Sequence, residues 1–240
     1  MSAGGGWRER ARRLGAAIEP RMLTVLLALA GAVWLFAGLA DLIDEGEPRS
    51  FDTRVLLALR SASDPADPLG PGWVEELGRD VTAFGGFGVL VFVTLAAAGY
   101  LRLSGRRRSM LLLLVAVGGG QLLSTLFKRG FDRPRPDLVP HEAIVYTASF
   151  PSGHAMMAAA TYLTLGAMLA RVQPTRALRA YVLALAAIVT VAVGVSRVYL
   201  GVHWPTDVLA GWTAGAAWAL ACWTVARWLA RRGAVEEDRS

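Results

Sequence analysis

The sequence predicts an all-α polytopic membrane protein, with six transmembrane helices and one short amphipathic helix on the outer side. Three observations carry that expectation. The chain is 54% hydrophobic and only 18% charged, whereas soluble domains run at about 45–50% apolar and about 25% charged. Six apolar runs of near-spanning length recur along it. The arginines between those runs fall on alternate connections, as they do in proteins whose orientation is set by positive loops.

Residues 1–21 form a basic lead-in, with Arg8, Arg10, Arg12, Arg13 and Arg21. The first run, Met22–Ile43, is longer than the roughly 7–15-residue core of a cleavable leader. It reads as a retained span, although Gly38 and Ala40 are small residues at cleavage-site spacing. The connection 44–80 is acidic (Asp44, Glu45, Glu47, Asp52, Asp64, Asp67, Glu75, Glu76 and Asp80) and carries Pro and Gly over 64–72, a loop signature. Within it Phe51, Val55 and Leu59 recur every four residues beside Asp52, Arg54 and Arg60. That spacing predicts a short amphipathic helix, lying on the outer leaflet or packed on the spans.

The remaining runs are Phe84–Leu101, Met110–Phe127, His154–Ala170, Tyr181–Val195 and Val208–Leu229. A span needs about 20 apolar residues; the fourth and fifth runs are shorter and gain a turn at their polar ends. Gly and Ala are frequent, as where spans pack closely. Residues 22–230 therefore read as one six-span domain and 231–240 as a tail. Arg102, Arg106, Arg107 and Arg108, then Arg171, Arg176 and Arg179, then Arg227, Arg231, Arg232 and Arg239 all share the side of the N-terminus. That side is expected to be cytoplasmic, with both termini inside a cell (inner) membrane. The net charge of +6 is thus a topology signal and implies no nucleic-acid partner. The single cysteine, Cys222, allows neither an internal disulfide nor a cysteine-rich metal site.

The other polar residues gather in the region 128–207, in three segments. They are Lys128 to Pro136 after the third span, Phe150 to His154 opening the fourth, and Ser196 to Asp207 between the fifth and sixth. Six spans bring all three to the outer face. Lys128, Arg129, Arg133, Arg135 and Arg197 there run against the positive-inside bias, and ionisable groups at a membrane boundary are costly unless they serve a site or pair. Arg129 and Arg133 have a bland reading, as headgroup anchors or partners of Asp132 and Asp137. Lys128 is the only lysine in the chain, which marks a position where a compact ammonium matters. His141 has no motif around it, Asp137 and Glu142 are candidates for the cavity mouth, and Tyr199, Trp204 and Trp212 read as interfacial aromatics.

The spacings Lys-x6-Arg-Pro (Lys128, Arg135, Pro136), Pro-Ser-Gly-His (Pro151 to His154) and Ser-Arg-x5-His-x3-Asp (Ser196, Arg197, His203, Asp207) resemble the tripartite signature of the type 2 phosphatidic acid phosphatase and vanadium haloperoxidase superfamily, over roughly residues 84–229. Arg133-Pro134 also reads Arg-Pro, but the six-residue spacing selects Arg135. The resemblance implies that His203 is a nucleophile forming a phosphohistidine, that Asp207 holds its ring, and that His154 is the general acid and then the base. Lys128, Arg135, Ser152, Gly153 and Arg197 would bind phosphate, with Pro151 and Ser152 opening a helix whose N-terminus favours an anion. The histidines show no metal-ligand spacing, so no metal and no cofactor are expected; the cations take that role. The substrate implied is a membrane lipid phosphate or diphosphate, with undecaprenyl diphosphate favoured and phosphatidic acid or phosphatidylglycerol phosphate next. A vanadium haloperoxidase and a non-catalytic phosphate-binding membrane protein are the rivals. Oligomeric state leaves no mark on the sequence.

Overall fold

A helix forms at each of the six apolar runs. The computed structural model describes residues 20–44, 49–139 and 147–231; the arginines of 1–19 and of the 232–240 tail lie outside them. Among the described residues the helices are α1 (Pro20–Asp44), α2 (Arg49–Leu57), α3 (Gly72–Ala83), α4 (Phe87–Leu103), α5 (Arg107–Gly130), α6 (Gly153–Arg171), α7 (Arg176–Tyr199) and α8 (Pro205–Arg231). By length and apolarity, Met22–Ile43, Arg107–Gly130, Arg176–Tyr199 and Pro205–Leu229 each suffice to cross a membrane; α3 and α4 make a fifth if their 49° bend lies within one span. Large apolar side chains point outward, with Leu103 90%, Trp34 79% and Phe92 72% exposed. Apolar surface of that extent needs lipid around it.

Helix α6 holds the centre and packs chiefly on α7 and α8. Small residues make this possible. A Cβ added at Gly211 would lie 2.6 Å from the Ser152 carbonyl oxygen, and one at Gly215 would lie 2.3 Å from that of Met156. The backbones of α6 and α8 therefore touch over one turn, the close approach that small residues at i, i+4 permit. That contact registers residues 152–156 against the start of α8, and the Ser152 N–H donates to the Asp207 carbonyl at 2.9 Å. On the other side of α8, Ala40 of α1 packs with Phe150 and Ala210, joined by Phe36 and Phe131.

Helix α2 stands where the four-residue spacing places it, but it buries a different stripe. Asp52 and Leu56 are fully buried, while Phe51 is 45% exposed. Leu56 joins Val198 and Val208 in one apolar cluster, so the helix is packed on the spans. Its stripe is fixed by a buried carboxylate, which a hydrophobic pattern does not reveal.

Candidate active site

The three polar segments meet at the end of the bundle where α5 and α7 finish and α6 and α8 begin. Lys128, Arg135, Gly153, His154, Arg197 and His203 line one cavity of about 780 Å³. Ser152 is fully buried beside Gly153, and Asp207 fully buried behind His203.

One wall is cationic. Lys128 Nζ donates to Thr147 Oγ1 at 3.1 Å and to the Ala148 carbonyl at 3.0 Å. Arg135 donates to the Thr147 carbonyl at 3.0 Å and the Val202 carbonyl at 2.6 Å. Burial pulls the Arg135 guanidinium below its ordinary pKa, against the pull of Asp207 in the other direction. Arg197 is 2% exposed and gives one NH to Thr82 Oγ1 at 3.0 Å, yet its Nε has no partner, and neither does the buried Ser152 hydroxyl. A buried unsatisfied polar group costs roughly 1–3 kcal/mol.

Ser152 occupies the N-cap of α6 but makes no side-chain cap bond, contrary to the capping its sequence position suggests. Its hydroxyl is thereby left without a partner, next to Gly153, which lines the cavity. The first N–H groups of α6 have no intrahelical acceptor and add the positive end of the helix dipole. Gly153 keeps the approach open: a Cβ there would stand 3.2 Å from Lys128 Cε.

The facing wall is the imidazole of His203, 1% exposed. Arg135 lies 3.1 Å from His203 Nε2. A guanidinium can only donate, so Nε2 carries the lone pair and Nδ1 the proton. Nδ1 faces Asp207 Oδ2 at 3.5 Å, at the long limit of a hydrogen bond. Ser149 sits beside both, 3.4 Å from Nδ1 and donating a short bond to that same Oδ2. Burial pushes the His203 pKa down to about 4, against the upward pull of Asp207. Histidine NMR of the ligand-free protein, simplified by a total of three histidines, should show the His203 ring neutral with hydrogen on Nδ1 from pH 8 down to about 4. Titration at an ordinary value near 6.5 would show that the ring is solvated.

The PAP2 superfamily model matches residues 109–231, which hold all three segments. The chain belongs to the PAP2 superfamily. It is 34% identical over 146 residues to phosphatidylglycerophosphatase B of Bacillus subtilis, covering 60% of this chain and 70% of that one. It is 29% identical over 164 residues to lipid A 1-phosphatase of Rhizobium etli, covering 59% and 66%. The crystal structure of a transmembrane PAP2-type phosphatidylglycerolphosphate phosphatase from Bacillus subtilis shares the fold, with a TM-score of 0.69 over 90% of this chain and 98% of that one at 23% identity. The chain is a membrane phosphatase of the PAP2 superfamily.

Around the PAP2 signature stand residues whose contacts the sequence does not show. Arg133 is no headgroup anchor and does not pair with Asp132 or Asp137. It bridges Asp207 Oδ1 at 2.5 Å and Asp52 Oδ2 at 2.6 Å, with its side chain 10% exposed. Thr82 supports Arg197, and Gly85 lets the α3–α4 bend close on the site, since a Cβ there would lie 3.1 Å from His154 Cβ. The ring N–H groups of Trp204 and Trp212 donate to the carbonyls of Pro134 and Thr190. Tyr199 is buried and its hydroxyl donates to the Leu69 carbonyl. Asp137 is exposed and is not among the residues that line the cavity. His141 and Glu142 lie outside the described residues.

Proposed function

We propose that this chain hydrolyses the terminal phosphate of a membrane lipid phosphate, through a phosphohistidine on His203 and without a metal. The observation that carries the lipid substrate is the shape of the cavity. From the cationic wall it continues between α4 and α5 past Gln121, Gly118 and Val117 on one side and Phe87, Leu90 and Val91 on the other. Lys128 and Val117 are eleven residues apart, which is about 16 Å along a helix at 1.5 Å per residue. A phosphate held by the clamp thus has an apolar channel for its tail, running into the layer that the outward-facing Phe92 and Leu103 occupy.

The chemistry follows from the two walls. Lys128, Arg135, Arg197, Ser152 and the Gly153 backbone hold the three non-bridging oxygens, whose charge must be stabilised in transfer. Arg135 turns from Nε2 to a phosphate oxygen as the substrate arrives. The Nε2 lone pair then forms the N–P bond while the P–O bond to the lipid breaks, and His154 gives its proton to the leaving oxygen. Asp207 steadies the cationic ring. Water then attacks phosphorus, His154 takes its proton, and the N–P bond breaks to release inorganic phosphate. The arginine-rich ends Arg102 to Arg108 and Arg171 to Arg179 lie at the far ends of the helices, which supports a cytoplasmic side there and a site on the outer face.

The names of those two relatives support a lipid phosphate monoester, and a shorter match, 42% identical over 67 residues to an undecaprenyl-diphosphatase of Sulfolobus acidocaldarius, keeps undecaprenyl diphosphate beside it. The test is phosphate release in EDTA by detergent-purified protein from phosphatidylglycerol phosphate, phosphatidic acid, undecaprenyl diphosphate and a short-chain lipid phosphate. Turnover without added metal is expected. A Cβ at Gly118 meets nothing within 4 Å, so Gly118→Leu should fill the channel and raise KM for long-chain substrates at least tenfold while leaving the short-chain substrate unaffected. Equal effects on both would place the tail elsewhere, and activity that returns only with magnesium would remove the metal-free mechanism.

A further inference from the structure

Behind His203 lies a row of buried charges, Asp207, Arg133 and Asp52, of which only Asp207 is a signature position. Asp207 Oδ1 accepts from Arg133 at 2.5 Å, and Oδ2 accepts from the Ser149 hydroxyl and the Trp204 N–H. The other arm of Arg133 goes to Asp52 Oδ2 at 2.6 Å. The same oxygen accepts Thr206 Oγ1 at 2.6 Å, and Asp52 Oδ1 accepts the Thr206 N–H at 3.0 Å. Asp52 is fully buried. It sits on α2, outside residues 109–231 that match the superfamily.

We infer that Asp52 is a positioning residue for the reaction, acting through Arg133 on the Asp207 carboxylate that backs His203. The inference rests on the histidine chemistry proposed above. A planar guanidinium held between two carboxylates is fixed in both plane and distance. Arg133 so held can neither swing wholly onto Asp207 nor leave it. The charges also count. Two carboxylates and one guanidinium leave a net −1 behind a neutral imidazole, and this is balanced when the ring becomes cationic on phosphorylation. Without Asp52 the sum behind the ring is zero, and the cationic ring loses its balance only as the N–P bond forms. The effect therefore belongs to kcat, with little in KM.

A purely structural role is the alternative, because Asp52 also accepts from the N-terminus of α8. Asp52→Asn separates the two: its carbonyl oxygen still accepts the Thr206 N–H, while the charge facing Arg133 is gone. In the full chain, purified in detergent and given a short-chain lipid phosphate, D52N should lower kcat by roughly 10–100-fold, as loss of such an outer partner does elsewhere. KM should stay within about threefold. In a D207N background the same change should cost less than about twofold, because the residue through which it acts is already neutral. Arg133→Lys, a point charge that cannot span both carboxylates, should show the same split and serves if D52N folds poorly. The His203 Nδ1–H signal of the ligand-free protein should shift in D52N, as Arg133 moves wholly onto Asp207 and weakens it as an acceptor, while Arg135 keeps the hydrogen on Nδ1. An equal cost in both backgrounds, a loss confined to KM, or an unchanged kcat overturns the inference. If the wild-type protein releases no phosphate from any lipid, the function proposed above fails, and an unchanged His203 Nδ1–H signal in D52N then overturns the positioning role independently.

Discussion

His203→Ala is expected to abolish phosphate release, by roughly 10⁴–10⁶-fold in kcat, while lipid phosphate still binds. The asymmetry comes from the arrangement of the walls. Lys128, Arg197, Ser152 and Gly153 belong to α5, α7 and the opening of α6, and none of the hydrogen bonds of Lys128 or Arg197 runs to His203. Removing the ring leaves that anion clamp in place and frees Arg135 from Nε2. Affinity for phosphate should hold or rise, because a guanidinium otherwise shared with the ring is then available to the ligand. What is lost is the lone pair that divides one difficult displacement into two easier ones. Rapid acid-free quenching of wild-type protein with 32P-labelled lipid phosphate should trap a phosphoprotein that is acid-labile and alkali-stable, and H203A should yield none. Normal turnover by H203A would remove covalent catalysis at this position. His203→Asn fills more of the buried volume and should behave alike, which guards against reading a folding defect as a catalytic one.

The two halves of the site were unequally legible in the sequence. Lys128, His154 and Arg197 could be found because each lies at the end of an apolar helix where a polar group is costly, and Arg135 and His203 because fixed spacings tie them to those three. Asp207 was legible as an i+4 partner of His203. Asp52 and Thr82 were not, because they come from the long connection after the first span, where acids and hydroxyls are ordinary loop residues. Only a fold that buries α2 makes Asp52 exceptional, and α2 is held by Leu56 against Val198 and Val208, a pairing that no local period encodes. Arg133 was misread for the same reason: its partners Asp52 and Asp207 lie far off in the chain, whereas Asp132 and Asp137 lie near it. Proximity in sequence suggested the wrong ion pairs.

The fold shows the same division. Helix positions followed from the apolar runs, but which helix is central did not. Helix α6 carries Gly, Ala and Thr where a lipid-facing span carries larger apolar residues, and its Ala155 and Ala159 let Gly211 and Gly215 of α8 come to backbone contact. The residue types that weaken it as a lipid-facing span make it the axis of the bundle. That placement fixes Gly153 and His154 beside the start of α8, so the packing of the membrane core sets the distance between the two histidines.

His154→Ala should then have an effect that depends on what leaves. His154 shares the cavity with His203, and its proposed task is to protonate the departing oxygen. A lipid alkoxide is a poor leaving group and needs that proton in the transition state; general acid catalysis of this kind contributes typically about 10²–10⁴-fold. A p-nitrophenolate leaves readily without it. H154A should therefore lose roughly 10²–10⁴-fold in kcat/KM on phosphatidic acid but less than about tenfold in the first, histidine-phosphorylating step with p-nitrophenyl phosphate. A burst of nitrophenol followed by slow turnover is expected, because the second step still needs a base for water and His154 is the base proposed for it. A diphosphate, whose leaving group is itself a phosphate anion, should fall between the two. Equal losses on all three substrates would mean that His154 holds the phosphate in place without passing a proton to it, and the acid would then have to be sought elsewhere along the cationic wall.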